Sequence, residues 1–431
     1  MNRGLKRQIG LLGITAYGVG TILGAGIYAL IGSAAGIAGN SVWMSFLLGA
    51  FISSFTGLSY AELSSMIPKS AAEYSYAKEA FRSDLAPFLI GWLIIFTGTV
   101  STSTVALGFG GYFKGLFGTP IVLNSTILIV LLSILNFMGI EESSRVNIVF
   151  TLIEAAGLLL IIVLGIPYLG RVNYLETASG LQGILRASTV IFFAYLGFED
   201  IANLVEETKN PERNIPKALI LSVAITVIIY VFVAVSAVSL ADWQDLRASC
   251  CPLAYAASQS LGQSAFLVMS VIALFATSNT VLILLLVSSR MIYGLAREGA
   301  LPSSLSRISG RRGTPWVAIT TAMVLAASFV LFGNIEFVAG ITNFGTFVTF
   351  ASVNLSAIWL RYRKPKLKRP FKIPMTIGKL PIIPLLGLLS CGLMVTQFQL
   401  DVIALSAFTL FIGIVTQRIL TNIHAKKGKE S

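Results

Sequence analysis

The sequence predicts an all-helical integral membrane protein, and three observations support this fold class. Of the 431 residues, 55% are apolar and only 12% are charged, whereas about 25% of a soluble domain is charged. The mean hydropathy is +0.83. Apolar runs of about 20 residues, enough to cross roughly 30 Å of hydrocarbon, recur along the whole chain. The apolar content also excludes intrinsic disorder.

Few residues are available for metal or hydrolytic chemistry. Cys250, Cys251 and Cys391 lack metal-ligand spacing, and His424 is the single histidine. The sequence contains no G-x-x-x-x-G-K-[ST] segment that could cradle a nucleotide phosphate. We therefore expect no cofactor, no metal and no enzymatic activity.

Twelve membrane-spanning helices are predicted. They lie near residues 9–36, 42–67, 85–113, 121–140, 147–169, 182–204, 215–240, 264–289, 316–333, 336–360, 380–399 and 401–420. An even number of crossings places both termini on the same side of the membrane.

The distribution of positive charge predicts which side that is. Of the 31 Lys and Arg residues, all but Lys114, Arg171, Arg186 and Arg247 fall in the termini or in the loops on the same side as the termini. The positive-inside rule then predicts a multi-pass cell-membrane protein with both termini in the cytoplasm. The net charge of +12 is accordingly attributed to orientation at an anionic leaflet and not to nucleic-acid binding.

Predicted helix 1 is unusually rich in glycine, with eight glycines between residues 10 and 36. Each glycine costs a helix interior about 1 kcal/mol relative to alanine. Close packing of helices through small residues is one explanation. The other is an unwound segment around Gly24, Ala25 and Gly26, since a broken helix at mid-membrane is tolerated where it lines a cavity. The free N–H groups of such a segment can bind a carboxylate.

Predicted helix 6 has a matching anomaly. Gly197 is flanked by aromatic residues and followed by Glu199 and Asp200 in mid-span. Helices 1 and 6 are five helices apart, and because five is odd, the second unit enters the membrane from the opposite face as an inverted repeat. Free carbonyls at the end of the first half of helix 6 would accept an ammonium group. An anion site beside an ammonium site fits the main-chain end of an amino acid.

Several ordered segments carry a resemblance to a known family. They are Gly18–Tyr28, Tyr60–Leu63, Ile67–Tyr74, Phe192–Glu199, Glu206–Pro216, Ser288–Arg297 and Asn354–Arg361. With them the chain resembles the amino acid–polyamine–organocation (APC) superfamily, close to the cationic amino acid transporter branch and its prokaryotic relatives. The segments span nearly the whole chain in the order found in that family.

The resemblance implies a single membrane transport domain over residues 1–431, with discontinuous helices 1 and 6. Its five-plus-five (LeuT-like) inverted repeat would comprise residues 9–169 and 182–360, followed by two further helices within 380–420. Short cytoplasmic tails would flank this domain. The implied activity is amino acid transport across the bilayer by alternating access.

The resemblance also implies where the substrate binds. Its carboxylate would be surrounded by Thr21, Ile22, Gly24, Ala25 and Gly26. Its ammonium would meet carbonyls of Phe192, Phe193, Ala194 and Leu196, beside Gly197. Phe193 falls where the family has an aromatic gate over the bound substrate; ordinary helix packing is the alternative explanation for Phe192 and Phe193.

Acidic residues inside predicted spans are a second set of candidate functional residues. A charge at a helix centre costs roughly 2.5–3.5 kcal/mol on insertion scales, so such residues usually face a cavity or one another. Glu154 ends the segment Ser144–Glu154, where relatives of this branch usually have lysine. Burial favours a neutral, hydrogen-donating Glu154. Alternatively, an ionised Glu154 could recruit a cation such as Na⁺ with help from Ser278 or a neighbouring hydroxyl of helix 8.

We expect Glu154, alone or with Glu199, to take part in proton coupling; the alternative is a permanently protonated packing residue. Glu199 would favour cationic substrates, whereas the apolar pocket candidates favour neutral ones. The sequence therefore predicts proton-coupled uptake of neutral amino acids. An amino acid exchanger, a transporter of cationic amino acids or polyamines, and a non-transporting membrane sensor remain alternatives. Glu62, near the inner end of helix 2, is expected to serve packing or the cytoplasmic gate.

Overall fold

A computed structural model describes residues 9–68, 72–138, 144–297, 299–310 and 312–430, without the side chains of 144–149, 206 and 422–430. The predicted N-terminal tail before Ile9 lies outside the described residues, as does the 69–71 part of the motif after helix 2.

The described chain is helical apart from short connections and one hairpin. Its α-helices are α1 (Leu11–Ile22), α2 (Gly26–Ala38), α3 (Val42–Met66), α4 (Ala72–Ala80), α5 (Leu85–Phe117), α6 (Ile121–Met138), α7 (Ser144–Gly165), α8 (Gly180–Ile191), α9 (Pro211–Leu240), α10 (Trp243–Ala248), α11 (Pro252–Arg297), α12 (Trp316–Val330), α13 (Ile335–Arg363), α14 (Ile382–Val395) and α15 (Leu400–Glu430). Short 3₁₀ segments are Gly39–Ser41, Ile166–Tyr168, Phe192–Tyr195, Phe198–Glu206 and Ser303–Ser306. Strands β1 (Thr376–Ile377) and β2 (Leu380–Pro381) pair antiparallel, with Thr376 opposite Pro381.

Within these residues, nine helical segments are long and apolar enough to cross a membrane. One of them, Gly26–Met66, runs through α2, the 3₁₀ turn and α3. Helices α1, α12 and α14 are apolar but shorter. The prediction of an all-helical, multi-pass membrane protein is confirmed, while the count of twelve crossings stays a prediction.

Two predicted helix boundaries differ markedly from the structure, and two short helices are additional. Helix α11 begins at Pro252 and not near residue 264, but Leu261 and the left-handed Gly262 (φ 67°) break it close to the predicted start. Helix α15 continues to Glu430, well past residue 420, so the predicted short C-terminal tail is helical. The helices α4 and α10 were not predicted, because both are too short and too polar to give a membrane-span signal.

Each long helix packs against a defined set of neighbouring helices. Helix α3 lies against α9, and α5 lies against α11. Helix α1 contacts α9, whereas α8 contacts α3. Helix α6 packs between α5 and α11, as does α12, while α7 contacts α11 and α13 contacts α5. These contacts bring the segment joining α1 to α2 and the segment after α8 into the interior.

Candidate functional site

The first interruption of helical geometry separates α1 from α2. Helix α1 ends at Ile22, and α2 begins at Gly26, so the break falls in the predicted glycine cluster. The first N–H groups of α2 have no acceptors within that helix. The N–H of Ala25 donates to Oγ1 of Thr280 on α11 at 3.4 Å. The break thus presents main-chain donors toward α11.

The second interruption follows α8. The 3₁₀ turn Phe192–Tyr195 leads to an extended Leu196 and to Gly197 in the left-handed region, with φ of 112°. A Cβ atom on Gly197 would lie 2.9 Å from the carbonyl oxygen of Thr21. Only glycine meets both the backbone conformation and the close approach without strain.

The two interruptions touch each other. The hydroxyl of Thr21 lies 3.1 Å from the carbonyl oxygen of Gly197, to which it can donate. It also lies 3.0 Å from the carbonyl oxygen of Gly18 in its own helix. A Cβ atom on Gly26 would lie 2.7 Å from Cα of Ala194, so the two backbones are in direct contact. Candidate residues of both helices therefore lie side by side.

Tyr230 on α9 ties these interruptions together. Its buried hydroxyl lies 2.5 Å from the carbonyl oxygen of Ile22 and 3.0 Å from that of Ala194. Both acceptors belong to helix ends that lack a complete set of helical donors. Tyr230 was not among the predicted site residues; its signal in the sequence is a tyrosine in a largely apolar span, which requires a polar partner when buried.

The two candidate phenylalanines have different surroundings. Phe192 packs against Phe347 and Phe350 of α13, with ring centroids 4.4 and 5.9 Å away. Phe193 is 6% exposed and belongs to the packed cluster that contains Ala25 and Phe344. Phe192 is thus a core residue, whereas Phe193 packs in the hydrophobic cluster that also contains Ala25 of the first interruption.

Glu154 of α7 is buried beside the α1–α2 interruption. Thr151 lies against Gly20, where a Cβ atom would approach Thr151 Cγ2 to 2.9 Å. One turn further along α7, the main-chain carbonyl of Glu154 accepts a hydrogen bond from the Tyr28 hydroxyl at 2.5 Å. Gly20 precedes the interruption between α1 and α2, and Tyr28 follows it. The contacts of α7 with these two residues therefore place Glu154 at the level of the interruption.

The carboxyl of Glu154 is incompletely satisfied. The side chain is 2% exposed, and its Oε1 atom has no hydrogen-bond partner. The amide of Asn279 on α11 is the polar neighbour of this carboxyl. The predicted helper Ser278 is half-buried next to Asn279, while the Thr280 hydroxyl is the one that reaches the interruption.

Glu199 turns back onto its own segment. Its Oε2 atom accepts a hydrogen bond from the N–H of Gly197 at 2.9 Å. Glu199, Asp200 and Glu73 of α4 lie close enough to interact electrostatically. Glu73 accepts a hydrogen bond from the Tyr60 hydroxyl at 2.9 Å, and burial raises the pKa of its carboxyl. This acidic group is separate from Glu154.

A cavity of about 150 Å³ lies between α2, α5 and the segment from α10 to α11. Tyr28, Ser33, Tyr112, Arg247 and Cys250 are among its lining residues. The guanidinium of Arg247 donates to the carbonyl oxygen of Gly36 at 3.1 Å. Tyr28 links this cavity to Glu154, because it lines the cavity and bonds to the Glu154 main chain.

Comparisons with known proteins define the class of membrane protein to which this architecture belongs. The sequence profile of the amino acid permease family matches residues 9–419. The branched-chain amino acid permease BcaP of Bacillus subtilis is 28% identical, over 98% of this chain and 95% of that protein. The methylthioribose transporter of the same organism is 28% identical, over 96% of this chain and 93% of its own length.

A plant relative is also similar to the chain. The vacuolar cationic amino acid transporter 4 of Arabidopsis thaliana is 31% identical, over 84% of this chain and 64% of its own length. The chain therefore belongs to the amino acid permease family, within the APC superfamily. This confirms the family resemblance and the predicted class of non-enzymatic membrane transport protein.

Proposed function

We propose that this protein is a secondary active transporter that takes up neutral amino acids together with protons by alternating access. The observation that carries the proposal is the direct contact of two interrupted membrane segments, through Thr21 with Gly197 and Gly26 with Ala194. Main-chain donors at one segment and main-chain acceptors at the other suit a zwitterion.

The pattern of helix contacts supports a five-plus-five inverted repeat of residues 9–169 and 182–360. In this pairing α3 corresponds to α9, α5 to α11, α6 to α12 and α7 to α13, with the two interrupted helices as the first pair. Several contacts then have a counterpart: α6 with α11 matches α12 with α5, and α7 with α11 matches α13 with α5. The contact of α1 with α9 matches that of α8 with α3. Alternating access by movement of such repeats is the behaviour that this symmetry allows.

Within the proposed site, the substrate carboxylate lies near Thr21, Ile22, Gly24, Ala25 and Gly26, and the ammonium near the carbonyls of 192–197. The carbonyl of Ala194 can accept one hydrogen bond from the Tyr230 hydroxyl, and that of Gly197 one from the Thr21 hydroxyl. Each carbonyl oxygen has a second lone pair, so both can still accept from an ammonium group. Phe193 would cover the bound substrate.

The surroundings of the site favour a neutral side chain. Phe193 and Ala25 share an apolar cluster, and the Glu199 carboxylate is engaged by the N–H of Gly197. A cationic side chain would have to compete for that carboxylate. The name of the branched-chain amino acid permease BcaP agrees with a neutral, apolar substrate.

The membrane orientation that we propose places both termini in the cytoplasm of a cell-membrane protein. The connection between α13 and α14 contains six Lys or Arg residues, at positions 364, 366, 368, 369, 372 and 379. Arg247 lies in the opposite connection, between α9 and α11. The asymmetry follows the positive-inside rule.

Uptake of a panel of labelled amino acids into proteoliposomes tests the function directly. With an imposed pH gradient, inside alkaline, we expect accumulation of leucine, isoleucine, valine or alanine, and slower or no accumulation of arginine and lysine. Accumulation that requires unlabelled amino acid inside, and not the gradient, would identify an exchanger instead. Binding without accumulation of any member would support a sensor.

Replacing Glu154 with glutamine tests the coupling role. Glutamine has nearly the same shape as a protonated glutamic acid but cannot release a proton, so we expect substrate binding to persist while the pH gradient no longer drives accumulation. The measurement is initial uptake rate with and without the gradient. Glu212→Gln, the same chemical change at an exposed residue of α9, is the matched control. Unchanged gradient dependence in Glu154→Gln would identify Glu154 as a packing residue.

A further inference from the structure

Two adjacent thiols lie at the edge of the cavity between α2, α5 and α11. Cys250 is half-buried and lines the cavity, whereas Cys251 is 4% exposed. Both are free cysteines, and their Sγ atoms are 3.8 Å apart.

The surface of α5 holds this pair in place. A Cβ atom on Gly111 would lie 2.2 Å from the carbonyl oxygen of Cys250, and one on Gly115 would lie 2.7 Å from Sγ of Cys251. The N–H of Cys251 donates to the hydroxyl oxygen of Ser249 at 3.2 Å. Pro252 begins α11 directly afterwards. The two thiols are therefore held close together before any ligand arrives.

A direct disulfide between the two is geometrically unfavourable. Adjacent Cα atoms across a trans peptide are about 3.8 Å apart, below the roughly 4.4–6.8 Å typical of disulfides. A single atom inserted between the sulfurs makes the ring one atom larger and relieves this constraint. The geometry suits a ligand with one thiophilic centre that bonds to both sulfurs.

We propose that Cys250 and Cys251 form a dithiol site for trivalent arsenic, and that its occupation blocks the adjoining cavity. With an organic arsenic(III) oxide, two As–S bonds form and both S–H bonds break. The arsenic-bound oxygen leaves with the two thiol protons as water, and arsenic remains trivalent. The expected inhibition of transport by the blocked cavity rests on the proposed function, whereas the binding of arsenic does not.

The electrostatics of the pair favour this reaction. Either thiol of the pair can donate to the other sulfur. A hydrogen bond from Cys251, together with the positive charge of Lys114, places the pKa of Cys250 below its ordinary value. Because the thiolate is the nucleophile, Cys250 attacks first and Cys251 completes the chelate. Cys391, which is 1% exposed on α14, has no thiol beside it in the sequence.

Intact-mass measurement of the purified, reduced protein with phenylarsine oxide tests the binding. We expect one phenylarsenic group per chain, removed by 2,3-dimercaptopropanol but retained in excess 2-mercaptoethanol. Cys250→Ser and Cys251→Ser should each lose the chelator-specific adduct, whereas Cys391→Ser should keep it. An adduct that survives in Cys250→Ser, or its absence from the wild-type protein, overturns the proposal.

Uptake measurements on the same samples test the consequence. Wild-type uptake should fall to background after treatment with phenylarsine oxide and return after addition of 2,3-dimercaptopropanol. Uptake by Cys250→Ser should be the same before and after treatment. A confirmed adduct with unchanged wild-type uptake would refute blocking alone, and absence of uptake before any treatment would refute the transport function without affecting the mass result.

Discussion

Gly26→Ala is expected to reduce amino acid uptake by about a hundredfold, the scale associated with misplacing reacting or binding groups by 1 Å. The added Cβ atom would lie 2.7 Å from Cα of Ala194. Because that neighbour is backbone, it cannot rotate away, and the two interrupted segments must separate. The separation would alter the spacing between the donors on α2 and the carbonyls after α8. Initial uptake rates, normalised to the amount of folded protein, measure the effect.

Two further glycine substitutions serve as graded controls for this prediction. Gly392→Ala on α14 adds the same methyl group where no heavy atom lies within 4 Å, and should leave uptake unchanged. Gly24→Ala brings a Cβ atom to 3.3 Å from the Thr280 hydroxyl, which can rotate, so its effect should be intermediate. Equal uptake by Gly26→Ala and Gly392→Ala would show that the contact with Ala194 does not define the site.

The positions of the two interruptions could be predicted from the sequence because glycine carries a local signal. A cluster at 24–26 and a glycine between aromatic residues at 197 both weaken a helix where they occur. In the structure, α1 ends at Ile22 and Gly197 adopts a left-handed conformation. The close approach of the two segments also requires glycine. Glycine in the sequence therefore indicates both where the helices are interrupted and where the two segments touch.

The polar partners at the site could not be predicted, because they depend on how distant helices pack. Tyr230 reaches Ile22 across 208 positions of the chain, and Thr280 reaches Ala25 across 255. For Glu154, the sequence predicts help from Ser278 or a neighbouring hydroxyl of helix 8, and in the structure Asn279 is its polar neighbour. Successive residues on a helix differ in direction by about 100°, so the sequence alone does not show which of these side chains faces the carboxyl.

The contacts of Glu62 with Arg361 and Ile373, which are distant in the sequence, predict that Arg361→Ala loses folding stability. Glu62 is 1% exposed and pairs with two atoms of Arg361, Nε at 3.1 Å and Nη2 at 2.5 Å. Its Oε2 atom also accepts from the N–H of Ile373 at 2.8 Å. These contacts join α3, α13 and the connection that follows α13.

Removing the Arg361 guanidinium leaves a buried carboxylate without its main counter-charge. Breaking a buried pair in this way costs about 3–5 kcal/mol. Arg369 retains part of the counter-charge, because its Nε forms an ion pair with Glu62 Oε1 at 3.4 Å, so we expect a loss at the lower end of this range. We therefore expect a clearly lower Tm for Arg361→Ala, measured by size-exclusion chromatography after heating.

Two comparisons separate the loss of the buried pair from a general effect of removing a cation. Lys364 and Glu79 form a pair whose side chains are 45% and 39% exposed, and exposed pairs contribute about 0–1 kcal/mol, so Lys364→Ala should leave Tm nearly unchanged. The double variant Glu62→Gln, Arg361→Met removes both charges and should recover much of the stability lost in Arg361→Ala. If the double variant is as unstable as Arg361→Ala, the packing of the arginine, and not the unpaired carboxylate, determines the cost. Since Glu62 lies in the first proposed repeat and Arg361 directly follows the last residue of the second, the buried charge would then have no special role in joining the two repeats.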